Sequence, residues 1–310
     1  MKQVCVIIDG NSLAHRAFHA YGGAVLTDAY GRPQEVCYGF MRLLATSLDL
    51  IRARHDRLDH LVIAFDSPRN RRRDLDVGYK ASRPMTDSAL MGQLDRLKAL
   101  LDGAGITWAE VEGWEADDLL AASARRVQAV GARAVLVTSD RDALGCVGPG
   151  VEVLQIRNGM AQARFLNETG VLDTYGVTPD RYFLLAALRG DPSDDLPGVP
   201  GLGPKKAALL AGAHADLEAM LADPNLARMV GPKAASALAA HQGAVRRNLS
   251  LMAPRDDLTV PILTSPLPSL ARVVEALATH ELPGLIRGTA VSLAAGGAGT
   301  VSGVPIRRLD

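Results

Sequence analysis

VCVIID (residues 4–9) is the stretch that decides the fold, because five apolar residues end abruptly in a carboxylate. Two later stretches repeat the pattern: LVIAFD (61–66) and AVLVTSD (134–140) each carry an apolar run followed within two residues by Asp. Short apolar runs bounded by polar residues are typical of buried strands. The sequence therefore predicts three buried strands whose carboxyl ends each lead into an acid.

The segments around these strands predict how the strands are joined. Helical periodicity covers 36–54, 88–105 and 116–131, so helices alternate with strands along the chain. That alternation favours right-handed crossovers and an α/β fold with a mainly parallel central sheet flanked by helices. VEVLQI (151–156) and ITWAEV (106–111) are candidates for two further strands.

The composition excludes several classes of protein but says little about function. The chain has 310 residues, 48% of them hydrophobic and 22% charged, with a formal net charge of zero, so only local patches can attract an anionic partner. Cys5, Cys37 and Cys146 are too few for a disulfide framework, which fits a reducing compartment. The N-terminus lacks the pattern of a signal peptide, and no run reaches membrane-spanning length. We expect a cytoplasmic protein that does not contact a membrane.

Carboxylates recur where the predicted elements meet. GWEADDLL (113–120) opens a predicted helix, TSDRD (138–142) follows a predicted strand, and RGDPSDDLPG (189–198) forms a predicted turn. A helix cap or turn role explains any single one of these acids. It does not explain the whole set, because ligand sites in open α/β sheets lie beyond the carboxyl ends of the strands. The candidate metal ligands are Asp9, Asp66, Glu115, Asp117, Asp118, Asp140, Asp142, Asp191 and Asp194.

So many carboxylates in one cleft predict bound cations. They would repel each other and raise each other's pKa values unless positive charge compensated them. Oxygen ligands without His or Cys select Mg²⁺ or Mn²⁺ over zinc. Two or more such ions are the usual device for attack of water on a phosphodiester, since they activate the water and stabilise charge on the phosphate.

Two basic segments predict where a polyanion would be held. From Arg69 to Arg83 there are six Lys or Arg and two Asp, directly after the acid at 66. A solvated loop is the alternative for this run taken alone, but its position beside the predicted acids favours phosphate binding. The second segment is LPGVPGLGPKKAALL (196–210), a glycine-rich turn before a helix that begins near Pro204. Its backbone N–H groups and lysines would grip duplex phosphates as a helix-hairpin-helix.

Six motifs together resemble the 5′-3′ exonuclease and flap endonuclease family, which includes the N-terminal nuclease domain of bacterial DNA polymerase I. They are IIDGNSLAHRAFHA, AFDSP, VGYKASRP, EGWEADDLLA, TSDRDAL and RGDPSDDLPGVPGLGPKKAA, in the family's order over roughly residues 1–285. The resemblance implies a PIN-like nuclease core with a helical arch and a C-terminal helix-hairpin-helix (H3TH) region. Since nothing like a polymerase follows, we expect a stand-alone nuclease.

By that resemblance, the nine acids named above match the family's metal ligands. Lys80 and Arg83 match the arch residues that reach the scissile phosphate, and Arg72 matches another catalytic position. The remaining matches are predicted to bind DNA: Arg16, Tyr79, Gly198, Gly201, Gly203, Lys205 and Lys206. The resemblance also implies a K⁺ ion at the glycine turn.

The expected activity is hydrolysis of DNA as a 5′-3′ exonuclease and 5′-flap endonuclease in replication and repair. Substrates would be DNA with 5′ flaps, nicks, overhangs or branched junctions, bound by a nucleoid-associated monomer. Two alternatives remain open: a metal-dependent ribonuclease on a related α/β core, and a non-catalytic protein that binds DNA junctions. The second alternative predicts lost acids, and none is missing here.

The predicted domains follow from the same comparison. The nuclease core spans 1–175 and contains the arch at about 67–87. A helical region spans 176–285, with the helix-hairpin-helix at about 196–212. Residues 286–310 are expected to form a flexible tail, because their end is rich in glycine and aperiodic. We also expect residues 69–87 of the arch to be poorly ordered without DNA, owing to their charge.

Overall fold

The computed structural model describes residues 2–22, 26–82, 88–157, 159–294 and 296. Its central sheet has six strands: β1 (Val4–Asp9), β2 (His60–Phe65), β3 (Thr107–Glu110), β4 (Arg133–Thr138), β5 (Val151–Arg157) and β6 (Gly159–Leu166). Their order in the sheet is β3-β2-β1-β4-β5-β6. The first five strands are mutually parallel and only β6 is antiparallel. The predicted mainly parallel α/β fold is confirmed.

Helices cover both faces of the sheet and continue into the C-terminal half. They are α1 (Gly10–Tyr21), α2 (Glu35–Arg54), α3 (Arg71–Leu75), α4 (Ser88–Ala104), α5 (Ala116–Ala129), α6 (Glu168–Tyr175), α7 (Tyr182–Arg189), α8 (Pro204–Ala213), α9 (Leu217–Ala222), α10 (Leu226–Val230), α11 (Pro232–Met252), α12 (Leu270–Thr279) and α13 (Thr289–Leu293). A short hairpin of β7 (Gly190–Asp191) and β8 (Leu196–Pro197) lies between α7 and α8. Among the described residues, no helix has the length and hydropathy to cross a bilayer.

Burial on both faces explains why β1 reads as an unbroken apolar run. Cys5 and Ile7 pack into the core shared with α5 and the C-terminal helices. Val6 and Ile8 pack into the opposite core, shared with α1, α2, α4 and α12. A parallel strand covered on both sides needs apolar residues at every position, not at alternate ones.

Two features differ from the sequence-based expectation. Strand β6 was not predicted, because this antiparallel edge strand is half exposed and has no apolar run. The expected flexible tail from 286 begins too early, since α13 is a helix whose Leu293 is fully buried. The Arg52 guanidinium also binds the carbonyl oxygen of Ala294 at 2.9 Å, which docks this helix onto α2. Residues 297–310 of the expected tail lie outside the described residues.

Candidate active site

The strand ends place carboxylates along one edge of the sheet. Asp9 ends β1, and its carboxylate accepts hydrogen bonds from the Ser12 N–H at 2.8 Å and from the Thr138 hydroxyl at 2.7 Å. Asp66 follows β2 and accepts a hydrogen bond from the Ala116 N–H at 2.7 Å, in the first turn of α5. Asp9 is only 6% exposed. The Asp9 carboxylate therefore lies largely out of water, between α1 and the end of β4.

Mutual repulsion identifies the other carboxylates that share this edge. Burial, reinforced by Asp66, raises the pKa of Asp9 from 3.8 to about 7. Burial raises the pKa of Asp117 well above 3.8, with further increases from Asp140 and Asp9. Burial and Asp140 raise the pKa of Asp142 to about 8. A carboxyl group keeps its proton in this way when its anion is buried beside other anions, so these five acids lie together.

The C-terminal half adds further carboxylates to the same place. Asp191 ends β7 and accepts hydrogen bonds from the Ser193 N–H at 2.8 Å and from its hydroxyl at 2.7 Å. Asp194 ends the 3₁₀ turn that follows. After burial and Asp140, the negative charges of Asp191 and Asp194 also raise the pKa of Asp142. We call the following set the acid cluster: Asp9, Asp66, Glu115, Asp117, Asp140, Asp142, Asp191 and Asp194.

The Lys80 ammonium lies inside this acid cluster. It forms a close ion pair with Glu115 and lies 3.8 Å from a carboxylate oxygen of Asp194. The Lys80 backbone has φ of 53°, a left-handed conformation that non-glycine residues rarely adopt. Its N–H is bound at 3.0 Å by the Asp194 carbonyl oxygen. Lys80 is thus held with its positive charge between Glu115 and Asp194.

Glu115 differs from its neighbours because cations surround it. Burial alone would raise its pKa, but Lys80 and then Arg72 outweigh burial and hold the pKa below 4.5. The Tyr79 hydroxyl donates to Glu115 at 3.1 Å, and Tyr79 is only 4% exposed. The structure therefore does not present Tyr79 to DNA as the sequence predicts. Tyr79 instead orients Glu115, and burial together with Glu115 raises the pKa of its hydroxyl.

Arg72 and Asp118 form a buried pair beside the cluster. Two guanidinium nitrogens of Arg72 each lie 2.7 Å from an oxygen of Asp118. Asp118 has no exposed surface, and its oxygens also accept the N–H groups of Glu115 and Arg255. The sequence predicts Asp118 as a metal ligand and Arg72 as a catalytic residue. The geometry does not support these two roles, because protein contacts already engage both side chains.

The described part of the arch is anchored at several points. Asp76 forms a close ion pair with Arg247 on α11. The Ser82 N–H and hydroxyl donate to Asp195 at 2.7 and 2.6 Å. These contacts favour a defined conformation for 69–82, whereas the sequence predicts poor order there without DNA. Arg83 and the rest of the predicted arch lie outside the described residues.

Arg16 on α1 contacts the carboxyl end of β5. One guanidinium nitrogen donates to the Ile156 carbonyl oxygen at 3.2 Å, and its buried Nε has no hydrogen-bond partner among the residues that the structure describes. The side chain is partly exposed. Arg16 therefore lies near the end of β5, where the described contacts leave its guanidinium only partly engaged.

The glycine turn opens onto the N-terminus of α8. Gly201 has φ of 76°, which favours glycine. Gly198 is required for another reason, since a Cβ there would lie 2.0 Å from the Arg189 carbonyl oxygen. Lys205 is exposed, while the Lys206 ammonium donates to the Val230 carbonyl oxygen at 2.6 Å. Gly203 caps α8 with its backbone alone, so no side chain of the described residues caps the helix N–H groups.

Several residues that shape the site were not predicted from the sequence. The Asn11 side chain accepts the Asp66 N–H at 2.8 Å, which links β2 to α1. Ser12 and Ser139 share a hydrogen bond of 2.6 Å. Their only sequence signal is proximity to Asp9 and Asp140. Polar residues directly after a strand-end acid are worth considering as its supporting groups.

The residues present fit a divalent cation by their chemistry. The acid cluster offers oxygen ligands alone, which suits Mg²⁺ or Mn²⁺. Burial, and after it the negative charge of neighbouring acids, raises the pKa values of Asp9, Asp117 and Asp142, so a cation would stabilise their ionised forms. The Lys80 ammonium already pairs with Glu115 in this way. As placed, no three His, Cys, Asp or Glu side chains of the described residues are arranged as an ion's ligands. Mg²⁺ commonly keeps several waters between itself and the protein, which relaxes that requirement.

Comparison with known families covers most of the chain. Residues 4–176 match the model of the 5′-3′ exonuclease N-terminal resolvase-like domain, and residues 177–270 match that of the 5′-3′ exonuclease C-terminal SAM fold. The chain belongs to the 5′-3′ exonuclease family. The predicted resemblance is therefore confirmed.

The curated relatives are longer proteins. DNA polymerase I of Mycobacterium leprae is 39% identical over 251 residues, which is 81% of this chain and 27% of that protein. Thermostable DNA polymerase I of Thermus aquaticus is 32% identical over 258 residues, 83% of this chain and 29% of that protein. The chain thus spans less than a third of the length of these relatives.

Solved structures of similar fold are much more distant in sequence. The T5 D15 protein co-crystallised with metal ions superimposes with a TM-score of 0.61 at 16% identity, covering 94% of this chain and 98% of that one. The catalytic core of Rad2 in complex with DNA substrate gives 0.59 at 16% identity, covering 92% and 91%. At such identities the likeness establishes the fold alone.

Proposed function

We propose that this protein is a divalent-metal-dependent 5′ nuclease that hydrolyses DNA phosphodiesters, both as a 5′-3′ exonuclease and as a 5′-flap endonuclease. The observation that carries the proposal is the acid cluster, with Lys80 inside it, at the carboxyl edge of the sheet. A non-catalytic protein of this family would gain nothing from keeping eight carboxylates in one place, where burial and neighbouring acids raise the pKa values of Asp9, Asp117 and Asp142.

The acid cluster would hold the metal ions, with Asp140 between Asp117 and Asp142, because after burial Asp140 is the largest cause of the raised pKa of each of those two acids. Bound Mg²⁺ or Mn²⁺ would lower the pKa of a coordinated water and offset negative charge on the phosphate. Glu115 differs in keeping a low pKa, so it is ready to accept a cation at neutral pH without losing a proton first. No side chain is needed as a covalent nucleophile, since water attacks directly.

Lys80 would contact the scissile phosphate. Its ammonium is held by Glu115 and Asp194, and arriving metal ions would weaken both attachments by competing for the same carboxylates. The released ammonium would then stabilise charge that grows on the phosphate oxygens in the transition state. Arg83 is proposed for a similar contact on the basis of its motif alone.

Duplex DNA would be gripped at a distance from the cut. The uncapped N-terminus of α8 and the exposed Lys205 offer N–H groups and charge to backbone phosphates. K⁺ at the glycine turn is part of this proposal, as are the partners with 5′ flaps, nicks, overhangs or junctions. We further propose that the protein acts as a monomer in the cytoplasm, at the nucleoid.

A cleavage assay tests the proposal. A 5′-flap DNA labelled at its 5′ end is incubated with Mg²⁺, Mn²⁺ or EDTA, beside an RNA strand of the same sequence. We expect metal-dependent cleavage near the base of the DNA flap and little cleavage of RNA. Preferred cleavage of RNA would instead support a ribonuclease. Tight junction binding without cleavage in either metal would support a binding protein.

A further inference from the structure

We propose that Asp118 is a positioning residue for Arg72 and not a metal ligand, and that this buried pair holds Glu115 in place while fixing the arch to the C-terminal helices. The inference deepens the proposed function and rests on it. Arg72 and Asp118 lie next to the acid cluster, but the hydrogen bonds of each side chain are already filled by other protein groups.

All five N–H groups of the Arg72 guanidinium have acceptors. Its Nε donates to the Leu251 carbonyl oxygen at 2.7 Å. One terminal nitrogen donates to Asp118 at 2.7 Å and to Glu115 at 3.1 Å. The other donates to the second Asp118 oxygen at 2.7 Å and lies 3.4 Å from the Ala253 carbonyl oxygen. Arg72 is 6% exposed. Its guanidinium is therefore a buried, fully hydrogen-bonded group that has no N–H left to donate to a phosphate.

The acceptor positions of the Asp118 carboxylate are also all occupied by protein groups. One carboxylate oxygen accepts Arg72 and the Arg255 N–H at 2.7 Å. The other accepts Arg72 and the Glu115 N–H at 3.0 Å. Each oxygen has two lone pairs, so no acceptor position is left for a metal ion. Its neighbour Asp117 differs, because that side chain lines the cavity of the acid cluster. Adjacent acids in one motif thus have separate tasks.

The pair connects three parts of the molecule. Arg72 lies on α3 at the base of the arch, and Asp118 lies in the first turn of α5. Leu251 is at the end of α11, the helix whose Arg247 binds Asp76 of the arch. The helix α11 belongs to the C-terminal half that would hold duplex DNA. A movement of α11 would therefore displace the arch and Glu115.

The pair of Arg72 and Asp118 fixes the orientation of the Glu115 carboxylate. Arg72 holds one of its carboxylate oxygens and Lys80 pairs with the other. When Lys80 turns to a phosphate, Arg72 still keeps Glu115 oriented, so the freed oxygen remains directed into the acid cluster. If Asp118 did not bind the guanidinium, Arg72 would pair with Glu115 only. It would then neutralise the Glu115 carboxylate and draw it away from the metal ions.

The test compares Asp118→Asn, Arg72→Gln and the double variant with Asp117→Asn as the matched control. The first measurement is the number of Mn²⁺ ions bound without DNA, followed by electron paramagnetic resonance of free Mn²⁺. We expect Asp118→Asn to bind the wild-type number of ions, whereas Asp117→Asn binds fewer. Loss of an ion in Asp118→Asn would overturn the inference.

The second measurement is the single-turnover cleavage rate as a function of Mn²⁺ concentration. Asp118→Asn and Arg72→Gln should each raise the half-saturating concentration by about 10-fold through a loosened Glu115, and the double variant should do so no more than about 3-fold beyond either one. A merely structural defect would reduce the active fraction without moving half-saturation. Multiplied effects, near 100-fold in the double variant, would show that the two residues act separately and would refute the pair.

Folding failure does not remove the test. If Asp118→Asn leaves Arg72 buried without its counter-ion and the variant does not fold, the double variant removes both charges together. A wild-type number of Mn²⁺ ions in the double variant supports the inference, and a missing ion overturns it. Failure of the proposed function is distinct, since the wild-type protein itself would then neither cleave flap DNA nor bind Mn²⁺.

Discussion

Removing one repelling charge from the acid cluster should stabilise the metal-free protein, and Asp142→Asn is the clearest case. The pKa of Asp142 is raised from 3.8 to about 8, first by burial and then by Asp140. The folded protein therefore binds this proton more tightly than the unfolded chain. The associated stability is fully present below about pH 4 and is lost as pH rises through about 8.

The size of the effect follows from the shift. One pKa unit corresponds to about 1.4 kcal/mol, so the shift of Asp142 from 3.8 to about 8 sets an upper limit of about 6 kcal/mol on the free-energy cost of its anion. Asn has nearly the same shape and never ionises. In EDTA at pH 8.5, Asp142→Asn should raise the free energy of unfolding toward that limit, and at pH 4.5 it should change it little.

Urea denaturation at the two pH values measures this difference, with the exposed Asp173→Asn as a control. Saturating Mn²⁺ should reverse the order, because the wild-type carboxylate then gains a cation and the variant does not. An Asp142→Asn variant that matches the wild type at pH 8.5 in EDTA would refute the electrostatic account of the cluster. A gain of equal size at both pH values would trace the effect to packing instead.

Four other outcomes are expected. Asp117→Ala should abolish cleavage in Mg²⁺ and Mn²⁺ while duplex binding, measured by fluorescence anisotropy, stays within a few-fold; near-normal turnover in Mn²⁺ would remove it from the metal site. Lys80→Ala should lower the single-turnover rate at saturating enzyme by on the order of 10²-fold with little change in affinity, and a pure affinity loss in quenched-flow kinetics would contradict this. Lys205→Ala should weaken duplex binding and flatten the plot of log affinity against log salt by about one contact, leaving the saturated rate intact. Gly198→Ala should lower the melting temperature strongly because its Cβ would meet the Arg189 carbonyl oxygen, whereas Gly203→Ala, with nothing within 4 Å of its Cβ, should melt like the wild type.

Much of the core could be predicted from local pattern. The strands β1, β2 and β4 were predicted within a residue or two, because buried parallel strands require continuous apolar runs. Strand β6 was not predicted, because a half-exposed edge strand does not require a continuous apolar run. Helix α13 escaped for a related reason: its two buried residues, Ala290 and Leu293, are too few to produce a visible period.

The sequence by itself determined the layered α/β fold, the place where the acids gather and the family, since each depends on residue types at short spacing. Spacing could not distinguish Asp117 from Asp118, although the two are adjacent in one motif. Asp117 lines the acidic cavity, and Asp118 closes on Arg72 from α3. That division depends on contacts with Leu251 and Arg255, more than 130 residues away in the chain. Only the tertiary structure decided it, because a buried carboxylate takes its role from the partners that packing brings to it.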